Sequence, residues 1–599
     1  MEFINSIKAF IYVFKRKMCG IIGRIGINEN SIKTLRILKD LEYRGYDSYG
    51  ILFNLNGNLK IFKDTGEINL NEIKEKNIKS NIELGHTRWA THGGVSKDNA
   101  HPHSDSSNLF NIVMNGIVEN ADEIRRELES VGVEFKSQTD TEVIVHLFSK
   151  YFDLSSEDYF NEVVRVIQKI KVKLKGEFSF LISFLDFIVA YKNINPIVCG
   201  FSQTDEILLC SDLNLLMSNS FKYCIMDDED ILVCKIENSQ IKYQFYNGNF
   251  QKIDKSFLNC KNNNEEKGKT TKYFMEKEIL EQKYLVKIST SKNIDSVNYL
   301  IDELKNGRNL VISAAGSSYH AGLFLHYTLL KYGIMSSVIL ASELKNYLDV
   351  IKDDSLVVVF SQSGETADLI YPLRELNSKA EIFAVTNTPN STIDRFSKKS
   401  FYLNCGREVA VASTKAFAFQ VQFSNILFCK LDEKIFDYNE YERLFEENFL
   451  NLSNKIKEIC SLFSKSKDFF FIGRGDYYPL ALEGALKLKE ISYIHAEGFA
   501  GGELKHGSLA LIEENVPCVV LGQDLDIISN AVEIKTRGGK IIGINDKYNN
   551  SYDYFIEIPS KFQELFSTFA LQLLAFEMSI LLGNNPDKPR NLAKSVTVK

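Results

Sequence analysis

The sequence lacks several features that would place it in a specialised class of proteins. No uninterrupted apolar run approaches the ~18 to 20 residues of a membrane-spanning helix, so no membrane association is expected. The ten cysteines include no C-x-x-C pair, which fits neither a zinc site nor a dense disulfide framework. Basic residues are not in excess, because 78 Asp and Glu outweigh 71 Lys and Arg and the net charge is −7. Nucleic acid is therefore not expected as a partner, and a cytoplasmic location is the simplest.

The chain is a long globular sequence. Its 599 residues, 44% of them hydrophobic, are too many for one core and predict roughly three or four domains. The first part alternates short β-rich runs with helical stretches and indicates an α+β domain with sizeable sheets. A polar stretch without apolar periodicity follows and is typical of a linker. Beyond it, apolar strands alternate with helices, which predicts parallel sheets.

The second part also contains an internal repeat. Strand-like segments that end at residues 316, 360 and 387 recur with ends at 475, 521 and 546, at offsets of 159, 161 and 159. Two copies of one α/β domain explain this regularity. The predicted segments are an extension absent from the active enzyme (1–18), an amino-terminal domain (19–250), a linker (251–285), the two α/β domains (286–440 and 441–585) and a tail (586–599).

The segment MCGIIG places Cys19 after Met18 as if a protein began there, although 17 residues precede it. A cysteine freed at its amino end can use its own α-amine as base, since reference pKa values of ~8 and ~8.5 nearly match. A buried cysteine of a first strand is the alternative. In residues 1–17 the basic residues follow the apolar stretch, which disfavours a secretory signal. Translation from Met18 or a cleaved targeting segment would each remove the extension.

Polar residues that suit an amino-acid amide lie downstream. Arg88 and Asp140 can bind the carboxylate and ammonium of a free amino acid, and the Asn115 side chain with the Gly116 N–H can form an oxyanion hole. The motifs MCGIIG, LEYRGYDS, HTRWATHG, AHPH, NGIVEN and TDTEV resemble those of the N-terminal-nucleophile glutamine amidotransferases, whose domain stacks antiparallel sheets between helices. The resemblance implies that Cys19 attacks glutamine and that Arg88, Trp89, His92 and Asp140 bind it. The neighbouring histidines lack familiar metal-ligand spacing, and neither metal nor cofactor is expected.

The second half carries three features of its own. The turn SQSGET follows a strand and precedes a helix, where hydroxyls and backbone N–H groups can hold a phosphate; a plain helix cap is the alternative. Glu483, Lys487 and Glu490 share one helical face, which could equally be a solvated face. Lys594 lies in the tail, and lysine is the residue that forms a Schiff base with a carbonyl substrate.

The motifs SQSGETAD, VASTKAF, GRGDYYPLALEGALKLKEISYIHAE, GELKHG and PRNLAKSVTV resemble the isomerase half of the isomerizing, glutamine-dependent sugar-phosphate aminotransferases, which contains two sugar-isomerase domains. The resemblance implies the reaction of L-glutamine with D-fructose 6-phosphate to D-glucosamine 6-phosphate and L-glutamate, the first step of hexosamine and UDP-N-acetylglucosamine synthesis. It also implies a homodimer or larger assembly.

The same resemblance assigns roles in the sugar site. His506 opens the ring, Lys594 forms the Schiff base, and Glu490 moves the proton between C1 and C2, assisted by Lys487. The implied sugar-phosphate-binding residues are Ser317, Ser318, Ser361, Gln362, Ser363, Thr366, Val411, Ser413 and Glu483. Two alternative functions are a different synthase joined to the same glutaminase and a non-catalytic sugar-phosphate sensor.

Overall fold

The computed structural model describes residues 19–27, 32–74, 78–90, 93–203, 205–260, 271–290, 293–592 and 594. They form two compact units that divide between Lys267 and Gly268.

The amino-terminal unit contains two antiparallel sheets. Its strands are β1 (Gly20–Gly26), β2 (Ser48–Leu55), β3 (Asn58–Thr65), β4 (Ile82–Arg88), β5 (His103–Ser104), β6 (Asn111–Val118), β7 (Gly176–Phe184), β8 (Phe187–Tyr191), β9 (Val198–Phe201), β10 (Glu206–Cys210), β11 (Lys222–Ile225), β12 (Ile231–Glu237), β13 (Gln240–Tyr246), β14 (Lys252–Ile253) and β15 (Leu258–Asn259). Its helices are α1 (Ile32–Asp40), α2 (Leu70–Lys74), α3 (Ala121–Glu129), α4 (Glu142–Tyr151), α5 (Tyr159–Lys173) and α6 (Leu213–Met217). The strand orders are β15-β11-β9-β10-β1-β4-β2-β3 and β14-β13-β12-β8-β7-β6-β5.

Alternating side chains place the cores of this unit. Ile21 and Ile25 of β1 share a buried cluster with Leu181 of β7 and Ile188 of β8, so the two sheets pack face to face. The opposite face of the seven-stranded sheet is covered by helices such as α4, and that of the eight-stranded sheet by α1. Helices therefore flank two stacked sheets, which confirms the predicted α+β domain.

The carboxy-terminal unit contains two parallel sheets. Its strands are β16 (Asn309–Ala314), β17 (Ser336–Leu340), β18 (Ser355–Ser361), β19 (Glu381–Thr386), β20 (Lys399–Tyr402), β21 (Asp468–Gly473), β22 (His495–Ala500), β23 (Pro517–Leu521), β24 (Lys540–Asn545) and β25 (Tyr554–Glu557). Its helices are α7 (Phe274–Thr290), α8 (Ile294–Lys305), α9 (Ser317–Leu330), α10 (Ala367–Leu376), α11 (Thr392–Phe396), α12 (Lys415–Leu431), α13 (Tyr438–Phe463), α14 (Tyr477–Ser492), α15 (Leu525–Lys535) and α16 (Gln563–Leu581), with 3₁₀ turns at Ala341–Tyr347, Gly501–His506 and Ser508–Leu511.

The two parallel sheets repeat one topology. Their orders are β17-β16-β18-β19-β20 and β22-β21-β23-β24-β25, so the third strand of each copy lies beside its first and the second lies at the edge. The prediction of a duplicated α/β domain is confirmed. The copies share one large buried cluster, to which α7, α9, α12, α13, α14 and α16 all contribute.

The region predicted as a linker, 251–285, has more structure than its polar composition suggests. Strands β14 and β15 pair with β13 and β11, and α7 begins at Phe274. Met275 and Ile279, one helical turn apart, are both buried in the shared core. Their burial explains why the helix starts before the predicted end of the linker.

Helix α16 is apolar and long enough, at 19 residues, to cross a membrane by length and composition. However, 78% of its apolar window is buried inside the protein. It packs against α13 and α14, so it is a core helix of the carboxy-terminal unit.

Candidate active sites

Cys19 lies at the start of β1. This strand pairs with β4 so that Gly20 is opposite Thr87, and Cys19 therefore comes next to the end of β4. There the Trp89 backbone N–H donates to the Cys19 Sγ at 3.3 Å. A Cβ on Gly20 would meet the Thr87 Oγ1 at 2.7 Å, so this close strand pairing requires glycine beside the cysteine.

The Cys19 thiol is protonated in the intact chain. Burial raises its pKa to about 11, against a smaller opposing effect of the Trp89 N–H. Among the residues that the structure describes, its one hydrogen-bond acceptor is the Trp89 carbonyl, at a long 3.7 Å. A carbonyl is not a base, so activation of this thiol requires a proton acceptor from elsewhere.

Asn115 and Gly116 lie together on β6. The Asn115 side chain is 1% exposed, and neither its Nδ2 nor its Oδ1 has a hydrogen-bond partner within the described part of the chain. Gly116 has φ +118°, and a Cβ there would lie 2.1 Å from the Glu177 carbonyl oxygen. A buried amide without a partner beside a glycine backbone is the arrangement expected of an oxyanion hole awaiting its ligand.

The predicted glutamine-binding residues are fixed by their neighbours. The Arg88 guanidinium donates to the carbonyls of Gly93 and Gly94 at 3.2 and 3.1 Å. The Asp140 carboxylate accepts the Val118 N–H at 2.8 Å. Trp89 makes an edge contact with Tyr46, with ring centroids 5.3 Å apart, whereas His92 lies outside the described residues.

Asp47 belongs to this site, although sequence reasoning did not single it out. Its Oδ2 accepts the Ala90 N–H at 3.0 Å, which fixes the turn after Arg88, and its charge helps to raise the pKa of Cys19. It lies within the motif LEYRGYDS, which was the available signal.

The neighbouring histidines have structural contacts. The rings of His86 and His101 stack at 3.9 Å, and His103 packs at 4.6 Å against His101. His86 Nε2 bonds to the Met114 carbonyl at 3.0 Å and His103 Nε2 to Thr139 Oγ1 at 3.0 Å. Burial lowers the pKa of His86 to about 3 and lowers the pKa values of the other two well below 6.5. Among the described residues, no group of three His, Cys, Asp or Glu could hold a metal ion.

The turn SQSGET joins β18 to α10. The hydroxyls of Ser361 and Thr366 lie 2.8 Å apart, and Ser361 Oγ also accepts the Gly364 N–H at 3.1 Å. Ser363 Oγ accepts the Glu365 N–H at 3.1 Å. Gly364 has φ +65°, which folds the turn over the helix amino terminus. The turn places hydroxyl groups and a helix amino terminus at the carboxyl edge of a parallel sheet, where a phosphate can bind.

The corresponding position of the second copy is different. After β23, Asp524 is the N-cap of α15, and its carboxylate accepts the Ile527 N–H at 2.9 Å. A negative charge therefore occupies the helix end that a phosphate would need.

Two residues of the charged face of α14, Glu483 and Lys487, are buried rather than solvated, and Glu490 is half-buried. Lys487 is 0% exposed, and its Nζ lies 2.6 Å from Glu490 and 3.4 Å from Glu483. The ammonium also donates to the Ser317 hydroxyl at 3.0 Å. Glu483 bonds in turn to His320 at 2.8 Å. Sequence reasoning missed this partner, although His320 lies three residues after Ser317 in the motif AAGSSYHAG.

The charged groups on α14 shift one another's pKa values. Burial raises the pKa of Glu490, and Lys487 only partly opposes this effect. Burial works to lower the pKa of Lys487, but Glu483 and Glu490 outweigh it and the pKa is raised. Glu490 is therefore a desolvated carboxyl group beside a permanent cation, as proton transfer next to a carbonyl or iminium requires.

Lys594 reaches the same region from the tail. It forms an ion pair with Glu408, in which the two side chains are 5% and 0% exposed, and its charge also acts on the pKa of Glu490. Glu408 was not singled out from the sequence, although it lies just before Val411 and Ser413. The Val411 N–H donates to the Asp587 carbonyl at 3.1 Å, and the Ser413 hydroxyl donates to Glu408 at 3.4 Å.

The structure also describes three further predicted residues, Ser318, Gln362 and His506. The Ser318 hydroxyl accepts a hydrogen bond from Gln420 at 3.0 Å. The Gln362 carbonyl accepts the Asn387 N–H at 3.1 Å. His506 is exposed at the end of a 3₁₀ turn, and within the described residues no hydrogen bond or ion pair joins it to Glu490 or Lys594.

Comparisons with known proteins agree with this division of the chain. Residues 303–429 and 462–582 match the SIS domain, and residues 72–157 match the glutamine amidotransferase domain. The glutamine–fructose-6-phosphate aminotransferases (isomerizing) of Clostridium acetobutylicum and Pyrococcus horikoshii are 38% and 36% identical, each over 97% of this chain and 100% of the relative. The solved C-terminal domain of the Francisella tularensis glucosamine-fructose-6-phosphate aminotransferase is 34% identical over 53% of this chain and 98% of its own, with a TM-score of 0.47.

Proposed function

The chain belongs to the glutamine–fructose-6-phosphate aminotransferase (isomerizing) family, and from this premise we propose that it converts L-glutamine and D-fructose 6-phosphate into L-glutamate and D-glucosamine 6-phosphate. The amide nitrogen moves from glutamine to the sugar, and the ketose becomes an aldose. The cluster of Glu483, Lys487 and Glu490 carries this proposal, because a sensor that only binds sugar phosphates has no need of a base whose pKa burial raises.

In the amino-terminal unit, Cys19 attacks the amide carbon of glutamine, ammonia leaves, and water hydrolyses the resulting thioester to L-glutamate and the free thiol. Arg88 and Asp140 hold the carboxylate and ammonium of the substrate, and Trp89 and His92 line its site. The Asn115 Nδ2 and the Gly116 N–H stabilise the tetrahedral oxyanion. The Asn115 amide supports this role, because it has no hydrogen-bond partner among the described residues and a buried donor is costly unless a ligand accepts its hydrogen bond.

In the carboxy-terminal unit, the turn that follows β18 holds the phosphate through Ser361, Gln362, Ser363 and Thr366. Ser317, Ser318, Val411 and Ser413 line the sugar. The Lys594 amine adds to C2, and loss of water gives an iminium. Ammonia released from glutamine adds to C2 of this iminium and expels the Lys594 amine, which leaves the imine of the sugar. Glu490 then moves a proton between C1 and C2 while Lys487 holds its carboxylate, and His506 assists ring opening. No cofactor takes part in this scheme.

The active enzyme begins at Cys19. With Met18 still attached, the thiol has a pKa of about 11 and, among the described residues, donates only to the Trp89 carbonyl, whereas a free α-amine would supply a base. The relatives match 97% of this chain, and the remaining share is the size of residues 1–18. Amino-terminal sequencing of active protein tests this: a glutamine-hydrolysing chain that still begins at Met1 contradicts it.

The tail lysine gives the most direct test of the synthase chemistry. Lys594→Ala should abolish glucosamine 6-phosphate formation and spare glutamine hydrolysis, and borohydride should trap fructose 6-phosphate on Lys594 of the unmodified protein. Lys588→Ala, in the same tail, is the matched control. Normal glucosamine 6-phosphate production by Lys594→Ala would refute the role.

We also propose a cytoplasmic enzyme that forms a homodimer or a larger assembly, without nucleic acid or membrane as partner. All ten cysteines are free, as suits a reducing compartment. Size-exclusion chromatography with light scattering tests the assembly, and a monomer would contradict it.

A further inference from the structure

A second buried carboxyl group lies behind the ion pair of Lys594 and Glu408. Glu278, on α7, is 2% exposed. Its Oε1 accepts the Ala410 N–H at 3.2 Å and also the Val409 N–H. Its Oε2 lies 3.2 Å from the Thr414 hydroxyl. The scheme above gives no role to this group.

Thr414 connects the two carboxyl groups. Its Oγ1 is 3.2 Å from Glu278 Oε2 and 3.3 Å from Glu408 Oε1. A hydroxyl has a single proton and can donate it to one acceptor at a time. Both contacts are satisfied when Glu278 is a neutral acid that donates to Thr414, which donates in turn to an ionised Glu408.

The remaining contacts agree with this assignment of protons. Glu278 Oε1, which accepts only backbone N–H groups, is then the carbonyl oxygen of the acid. Glu408 Oε1 accepts the Thr414 and Ala416 N–H groups at 2.9 and 3.0 Å, and its Oε2 is paired with Lys594. The Thr414 carbonyl is held by Gln572 at 2.9 Å, and Gln572 by Gln282 of α7 at 2.6 Å. Gln572 and Gln282 therefore link Thr414 to α7, the helix that carries Glu278.

We propose that Glu278 is a positioning residue for Lys594: it keeps its own proton and, through Thr414, presents an ionised Glu408 as the acceptor of the Lys594 ammonium proton. An N–H bond of Lys594 breaks, an O–H bond of Glu408 forms, and the freed nitrogen lone pair adds to C2 of the sugar. This inference rests on the proposed role of Lys594. An ionised Glu278 would compete for the Thr414 hydroxyl and add a second negative charge that holds Lys594 as ammonium.

The charged groups around Glu278 determine its protonation state. Glu408, Lys415, Cys405 and Lys594 face Glu278, and burial together with the Glu408 charge raises the pKa of Glu278 to about 8. The pKa of Lys415 is raised. Burial raises the pKa of Cys405 to about 12. Lys594 lowers the pKa of Glu408 against the opposing effect of burial. On the other helices packed against α7, Glu446 pairs with Lys283, and the charge of Glu276 adds to the burial that raises the pKa of Glu577.

Glutamine at position 278 can reproduce the neutral acid, because its oxygen accepts the backbone N–H groups and its NH₂ donates to Thr414. Wild-type synthase turnover should fall by up to about tenfold per pH unit above about pH 8. Glu278→Gln should keep neutral-pH turnover within about threefold and lose that alkaline decline, whereas Glu278→Ala should lose on the order of tenfold or more. Glu281→Gln, one turn along α7 and paired with Lys415 at 2.9 Å, is the matched control and should keep the wild-type profile.

Glutamine hydrolysis is measured in parallel and should be unchanged in every variant. Identical alkaline profiles for the wild type and Glu278→Gln would overturn the proposal, and so would full turnover in Glu278→Ala. If Lys594→Ala remains active instead, the failure lies in the proposed role of Lys594, so the two hypotheses are separated.

Discussion

Replacing Lys487 with methionine removes a cation from between the buried carboxyl group of Glu483 and the half-buried carboxyl group of Glu490. The Nζ lies 2.6 Å from Glu490 and 3.4 Å from Glu483, and the side chain is fully buried. Methionine fills a similar volume, so the loss comes mainly from charge rather than from a cavity. Removing one partner of a buried ion pair typically costs about 3–5 kcal/mol, and we expect a decrease of this size in the free energy of unfolding.

A double-mutant cycle separates charge from packing. Glu483→Gln removes one of the two carboxylates that lose the Lys487 cation in Lys487→Met, so the double variant should be more stable than the sum of the single effects by about 1–3 kcal/mol. Lys489→Met is the matched control, since Lys489 is exposed on the same helix and its replacement should change stability by less than about 0.5 kcal/mol.

Denaturant unfolding followed by circular dichroism measures these differences. Trp89, the single tryptophan, belongs to the amino-terminal unit, so its fluorescence follows that unit separately. Synthase activity should be lost in Lys487→Met while glutamine hydrolysis remains. Equal stabilities for Lys487→Met and Lys489→Met would refute the reasoning that the buried cation compensates the two carboxyl groups.

Three further results are expected. Gly116→Ala would place a Cβ 2.1 Å from the Glu177 oxygen and should lower glutamine hydrolysis by on the order of 10²-fold, measured as glutamate release; wild-type rates would contradict the oxyanion role. The folded pKa of His86 is lowered from 6.5 to about 3, so the unfolded chain binds a proton first and stability is lost as pH falls from about 6.5 to about 3; unchanged Trp89 fluorescence transitions across that range would contradict this. Asp587 accepts the Phe274 and Met275 N–H groups at 2.9 and 2.8 Å, and Asp587→Ala should cost about 1 kcal/mol in denaturant unfolding, unlike Asp587→Asn.

Much of the fold could be predicted from the sequence because strand patterns and the repeat are local signals. The segments ending at 316 and 475 correspond to β16 and β21, which occupy the same place in their sheets. The start of α7 could not be predicted, because Met275 and Ile279 are buried only through packing against helices that are distant in sequence.

For the sites, motifs indicated residue types but not partners. The spacing of Glu483, Lys487 and Glu490 predicted a shared face, yet only the fold shows that this face is buried. Contacts between Lys594 and Glu408, or between His320 and Glu483, join residues separated by 186 and 163 positions. No local pattern carries such pairings, and they depend on the duplicated domains coming together.

The Asp524 cap in the second copy has a consequence for stoichiometry. Duplication produced two equivalent sheet edges, but an acidic side chain already neutralises the helix end of one of them. In the proposed scheme, the first copy holds the phosphate and the second copy contributes α14 with Lys487 and Glu490. Calorimetry should accordingly find one hexose phosphate bound per polypeptide, whereas two would mean that both copies bind hexose phosphate.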